Sequence, residues 1–249
     1  MGLISISPTS PEATPENRKD SWLPWVATGI ASLAAIAAFV LLARQPDPFT
    51  PPVGRFMVTT NVAGATRTGD GRLLGISPDG SHLGFVANQG LWTVNLNGGA
   101  PVRLGAAEAS PTSVTWSADD FIYLVSGGTV SRIGIEGGST TTVSSLAGTS
   151  QVFLSVERVP AGKVFLTSVR DADGGSSWLK ALDPDSGDLT DIGLEGSDPR
   201  YLATGHLLYA AGDRVMAVRF DLGALKPNGI PIAVLDRVGI EGGLMQLGI

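Results

Sequence analysis

Apolar residues follow two different patterns along this chain. From Leu23 to Ala43 they form an almost unbroken run of Leu, Val, Ile, Ala, Phe and Trp, interrupted only by Pro24, Thr28, Gly29 and Ser32. From about residue 72 onward they come in short bursts of five to seven, separated by Gly, Pro, Asp and Ser. The first pattern predicts a single membrane-spanning helix over 22–43. No residue between Asp20 and Arg44 is charged, and twenty-one residues at roughly 1.5 Å each cover about 31 Å, the thickness of a bilayer core. Trp22 and Trp25 stand at its N-terminal edge, where indoles favour the headgroup region. A cleaved leader is the alternative, but its apolar region is typically only about 7–15 residues long. Arg18 and Lys19 precede the helix and Arg44 alone follows it, a bias that puts the N-terminus in the cytoplasm and the rest outside.

The flanks read as linkers. Residues 1–21 carry Pro8, Pro11 and Pro15 among Ser, Thr and Glu, a composition with no means of forming a core. Residues 44–54 hold Pro46, Pro48, Pro51 and Pro52 and predict a stiff extended spacer.

The second pattern repeats with a period near 40 over residues 55–249. Unit one, about 72–105, contains the turn Ser77-Pro78-Asp79-Gly80, then Leu83-Gly84-Phe85-Val86, then Leu91-Trp92-Thr93-Val94, then the pair Gly98-Gly99. Unit two, about 113–146, aligns Ser117, Asp119 and Asp120 with that turn and Gly137-Gly138 with that pair. Two diverged units follow at about 152–193 and 199–238, and 242–249 reads as the opening strand of a further one. The turn positions Ser77, Ser117, Val159 and Ala203 fall 40, 42 and 44 residues apart. Pro presets φ at the second position of a type I turn, and Asp and Gly accept the positions after it. Each turn is expected to join a buried first strand to an alternating second one. Tandem units of four short strands predict an all-β fold, a partial β-propeller of about four four-stranded blades. A β-sandwich would leave the matched turns unexplained.

These units resemble the WD40-like, TolB-type β-propeller repeat, whose signature is a Ser-Pro-Asp-Gly turn, an apolar strand and a Gly-Gly turn. Ser77 to Gly80 match it fully, Ser117 to Asp120 in part. A membrane helix, a Pro-rich spacer and such a propeller also resemble the extracytoplasmic part of certain bacterial serine/threonine protein kinases. Too few residues precede the helix to carry over any kinase activity. That resemblance implies six to eight blades where four are counted. Arg55 to Thr59 is expected as an orphan outer strand. The chain is therefore expected to be a fragment, or to close its propeller by self-association.

Composition narrows the chemistry. The charged fraction is 16%, with 33 Gly, 16 Pro and no Cys, which suits a turn-rich β protein and excludes thiol or Cys-zinc chemistry. A net charge of −6 argues against a nucleic-acid partner. There is no Gly-x-Ser-x-Gly elbow and no phosphate loop, and the lone His82 and His206 are expected beside turns at the starts of second strands. Asp183, Asp185, Asp188 and Asp191 offer the oxygen ligands calcium prefers. Their spacing departs from the EF-hand pattern, and Asp183 to Gly187 reads equally as a hairpin turn. Trp92, Trp116, Trp178 and Tyr209 are expected to pack between blades rather than to form a sugar platform. No cofactor is implied. The expected function is a non-enzymatic, membrane-anchored binding or sensor module for a protein or small ligand. Two alternatives stand beside it, the severed sensor region of a kinase-like protein and a propeller-type hydrolase or lyase.

Overall fold

The computed structural model describes residues 72–107, 111–160 and 163–246. The tail 1–21, the helix 22–43, the linker 44–54, the strand at Arg55 to Thr59 and positions 247–249 lie outside the described residues. Everything below belongs to the second of the two units into which the chain divides, Met57–Ile249.

Four antiparallel sheets follow one another along the chain. The first is β1 (Leu74–Ile76), β2 (His82–Ala87), β3 (Gly90–Asn95) and β4 (Val102–Ala106). The second is β5 (Ser113–Trp116), β6 (Phe121–Ser126), β7 (Thr129–Gly134) and β8 (Thr141–Ser145). The third is β9 (Gln151–Arg158), β10 (Phe165–Asp171), β11 (Ser177–Leu182) and β12 (Leu189–Glu195). In each, neighbours in sequence are neighbours in the sheet. The fourth departs slightly. β13 (Ser197–Leu202), β14 (His206–Ala211) and β15 (Arg214–Asp221) pair in order. The edge of β15 is then shared by a two-residue strand, β16 (Lys226–Pro227), and by β17 (Ile232–Asp236). The spacing of the repeat shows no β16. Pro227 has no N–H to extend a ladder, so the chain leaves the edge there and returns at Ile232. A last hairpin joins β18 (Ile240–Glu241) to β19 (Leu244–Met245).

The sheets stack face to face, and the apolar residues show how. Ile122 and Leu124 of β6 join Val86, Leu91 and Leu104 of the first sheet in one cluster. Tyr123 and Val125 of the same strand join Phe153, Phe165 and Leu182 of the third sheet in another. Leu166, Leu179 and Ile192 of the third sheet meet Leu207, Tyr209 and Phe220 of the fourth. Met245 of β19 covers Ala210 and Val215 on the next face. Each of these clusters joins one sheet to the next element along the chain, which is the stacking of propeller blades.

This corrects the expected alternation of apolar and polar residues in the second strands. Ile122 through Val125 are all buried, at 2% exposure or less. Side chains of a strand alternate between its faces, and here both faces are covered by neighbouring sheets, so both must be apolar. A second correction concerns β1, expected to be buried. Leu74 and Ile76 are exposed, because their side of the first sheet borders a cavity rather than another strand.

The first strands of successive sheets run side by side. Arg72 pairs in parallel with Ser113, and Thr115 Oγ1 of β5 donates to Val156 O of β9 at 2.6 Å. β12 ends at Glu195 and β13 begins at Ser197, so Gly196 alone connects the third sheet to the fourth. Gly196 has φ +153, and a Cβ there would collide with Ala210 O and the Tyr209 ring. Glycine is required at that joint.

Candidate functional site

The repeat's turn motif is a scaffold element in both units where it is clear. Asp79 Oδ1 accepts from Ser77 Oγ at 2.5 Å and from Ser81 N at 3.0 Å, and Oδ2 accepts from Ser81 Oγ at 2.7 Å. These donors, Ser77 first, hold the Asp79 carboxyl well below the usual carboxylate range. Ser77 Oγ in turn accepts from His82 N at 2.8 Å, so the motif bridges the end of β1 to the start of β2. In the second unit, Asp120 takes the left-handed position with φ 62, which aspartate tolerates better than most residues. There Asp119 Oδ2 accepts from Tyr123 Oη at 2.9 Å. Burial, with Asp119 adding to it, pushes the Tyr123 phenol up to about 12. Gly98, Gly99, Gly137 and Gly138 all have positive φ. Gly138 N donates to Leu104 O at 3.1 Å, which anchors one sheet's turn on the preceding sheet.

The carboxylates weighed as calcium ligands are spread along a hairpin. Asp183 Oδ1 accepts from Asp185 N at 2.8 Å and Ser186 N at 3.2 Å. Gly187 N donates to Asp183 O, and Asp183 N donates to Asp188 O. Asp191 accepts from Gly193 N at 2.7 Å and pairs with Lys180 at 3.2 Å. The Gly193 hydrogen bond above all keeps its carboxyl low. Among the described residues no cluster of three or more His, Cys, Asp or Glu could hold a metal ion. His82 opens β2 and His206 opens β14. Trp116 and Tyr209 are buried between sheets, and Trp92 Nε1 donates to Ala87 O at 2.9 Å. Trp178 corrects the expectation for the aromatics, being 42% exposed. Its partners in the strand ladder are Val169, which is buried, and Glu195, which is exposed.

A polar centre that the repeat pattern does not mark lies where the first strands of the sheets gather. Arg72, just before β1, donates from Nη1 to Glu157 Oε2 at 2.9 Å and from Nη2 to Asp198 Oδ1. Asp198 is fully buried. Its Oδ2 also accepts from Met245 N at 3.0 Å and lies 3.6 Å from Arg200 Nη2. Two distant segments, at Arg72 and Met245, thus converge with Arg200 of the same strand on one carboxylate. Burial pushes the Glu157 carboxyl up, and the Arg72 and Arg200 charges only partly offset that.

Beside this network opens a cavity of about 370 Å³, whose charged wall is Arg72, Glu157, Arg158 and Arg200. Leu74, Ile76, Val114 and Trp116 form an apolar wall. The Arg158 side chain makes no hydrogen bond or ion pair among the described residues. Arg200 Nε is buried and also lacks a partner. The available signal for this site was charge inside strands that should be apolar. Glu157-Arg158 and Asp198-Pro199-Arg200 both occupy first strands, where an unpaired charge would be costly.

Comparison with known proteins shows the fold alone. No known protein family matches the chain, and no curated protein does. Among solved structures, the calcium-binding protein regucalcin from Agrobacterium tumefaciens aligns with a TM-score of 0.54 at 15% identity, over 76% of this chain and 68% of that one. A chain of the nidogen/laminin complex aligns with a TM-score of 0.52 at 12% identity, covering 69% of this chain. This chain spans about 65% of that one's length. TolB from Acinetobacter baumannii aligns with a TM-score of 0.48 at 15% identity, over 71% of this chain and 45% of that one, a likeness too loose to argue from. The stacked four-stranded sheets are those of a β-propeller.

Proposed function

We propose that this chain is a membrane-anchored β-propeller that binds a protein or small ligand, serving as a sensor module outside the cytoplasm. One observation carries the reading. The first strands of the sheets and the residues just before β1 bring three arginines and one glutamate to a cavity of about 370 Å³ that is also lined by apolar side chains. Small-ligand pockets of roughly 300–1,000 Å³ combine the same features, an apolar surface with a few converging polar groups. Helix 22–43 supplies the anchor, with the N-terminus in the cytoplasm. The same layout suits the sensor part of a kinase-like signalling protein, and an in-frame kinase in upstream DNA would support that.

Two measurements test the reading. A periplasm-active enzyme fused after residue 249 should be active, and activity of a cytoplasm-only reporter at that position would overturn the topology. A thermal-shift screen of small metabolites and peptides should give ligands whose stabilisation disappears in an Ile76→Asp variant. Hits that ignore that substitution would move the binding site away from the cavity.

A propeller-type hydrolase or lyase is the second reading, favoured by Glu157 alone. A carboxyl pushed up by burial at a cavity wall has the character of a general acid. Loss of turnover in Glu157→Gln, in a screen that first finds a substrate, would establish it.

A further inference from the structure

We propose that the cavity beside Arg158 binds a carboxylate carried on an apolar body, either a small organic acid or the free C-terminus of a polypeptide ending in an apolar residue. The inference deepens the binding reading above and rests on it.

The charges around the cavity decide the sign and the number. Arg72 is committed to both Glu157 and Asp198, and Arg200 faces Asp198. Two arginines and two carboxylates therefore balance. Arg158 lines the same cavity and has no counter-charge among the described residues, which leaves one positive charge over. Arg200 Nε adds a buried donor with no acceptor. A single surplus guanidinium and a free N–H match a monoanion with two acceptor oxygens. A phosphate dianion would bring more charge than this site neutralises, and a cation would meet repulsion. The protein as a whole is acidic, with a net charge of −6, so the site is a local positive spot within a field that otherwise repels anions.

The apolar lining decides the rest of the ligand. Leu74 is 44% and Ile76 55% exposed, and both line the cavity with Pro78 and the buried Val114 and Trp116. Apolar side chains kept wet in this way gain by covering. A hydrophilic acid would leave them wet, whereas an apolar-bodied one covers them while its carboxylate reaches Arg158.

The test uses the purified full-length chain and four probes in titration calorimetry. These are hydrocinnamate and its neutral amide, and the peptide Gly-Gly-Phe with a free and with an amidated C-terminus. At least one acid is expected to bind about tenfold more tightly than its amide, and Arg158→Ala should remove that preference. Ile76→Ser should weaken acid and amide alike. Neither substitution should shift Tm, since Arg158 makes no bond to lose and Ile76 is exposed. Preference for hydrocinnamate would identify a small-molecule site, and preference for the peptide a chain-terminus site; either supports the proposal. Equal binding of acid and amide would overturn the carboxylate assignment while leaving the cavity as the binding site. Binding that ignores both substitutions would remove the cavity as well. No binding by any of the four probes would overturn the proposal.

Discussion

Arg72 and Asp198 are 126 residues apart in sequence, yet the Arg72 guanidinium donates directly to the buried Asp198 carboxylate. One belongs to the segment that opens the first sheet and the other to the first strand of the fourth. The bond ties the segment before the first sheet to the first strand of the fourth. Met245 N reaches the same carboxylate from the final hairpin.

Asp198→Ala should therefore be among the most damaging single changes in the chain. It leaves Arg200 and the Met245 N–H without their acceptor and Arg72 with Glu157 alone, and removing one partner of a buried ion pair typically costs about 3–5 kcal/mol. Urea denaturation checks this. Asp198→Asn, which keeps an acceptor for Met245 N, should lose less than the alanine variant.

Glu157 predicts a pH dependence with a definite sign. Burial raises its carboxyl above the ordinary value of 4.5, with Arg72 and Arg200 opposing and the Asp198 charge adding. A group that holds its proton more tightly when folded contributes stability at low pH. That contribution disappears as pH rises from about 4.5 through the raised value. A Glu157→Gln variant should lack this part of the slope in a Tm profile between acid and neutral pH. An unchanged slope would place the titration elsewhere.

Gly187 should not tolerate a side chain. Its φ is +79, and a Cβ there would run into Val143 O of β8, to whose neighbour Ser144 it is also tied by a hydrogen bond of 2.8 Å. Gly187→Ala should cost about 2 kcal/mol, combining the left-handed penalty with the clash. Gly174, which has φ +93 but open space around it, is the control and should lose about half as much.

The Asp183 turn gives a prediction that separates its two readings. If Asp183 serves only its own hairpin, Asp183→Ala costs about 1 kcal/mol, the usual net worth of hydrogen bonds. The loss should be the same in calcium and in chelator. A Tm that rises with calcium in the parent chain and not in the variant would restore the calcium loop.

Strand β17 carries an exposed apolar edge. Ile232, Val234 and Leu235 are 45–63% exposed, and β15 is the only strand paired with β17 among the described residues. Unprotected edges of this kind pair with other chains. Val234→Lys should lower concentration-dependent self-association in light scattering while changing stability by no more than about 0.5 kcal/mol.

Much of this was legible from local chemistry. Ser77, Asp79 and Gly80 announce a turn because their hydrogen bonds and dihedrals are satisfied within five residues, and Gly98 and Gly99 do the same by their positive φ. Tandem copies of such turns, spaced about 40 apart, imply tandem sheets. Strands such as Phe121 to Val125 were legible as strands, but their burial on both faces was not, because that depends on which sheet lies against which. Gly196 gave no cue either, since its need for glycine comes from Tyr209 and Ala210 on another strand.

The sequence by itself determined the strands, their turns and their repetition, because those depend on residues close together along the chain. Only the tertiary structure decided that Arg72, Glu157, Arg158 and Arg200 meet at one cavity, with Asp198 buried behind Arg72 and Arg200. Their separation in sequence is set by blade length rather than by any motif, and a charge inside a strand reveals its partner only once stacking has brought distant first strands side by side.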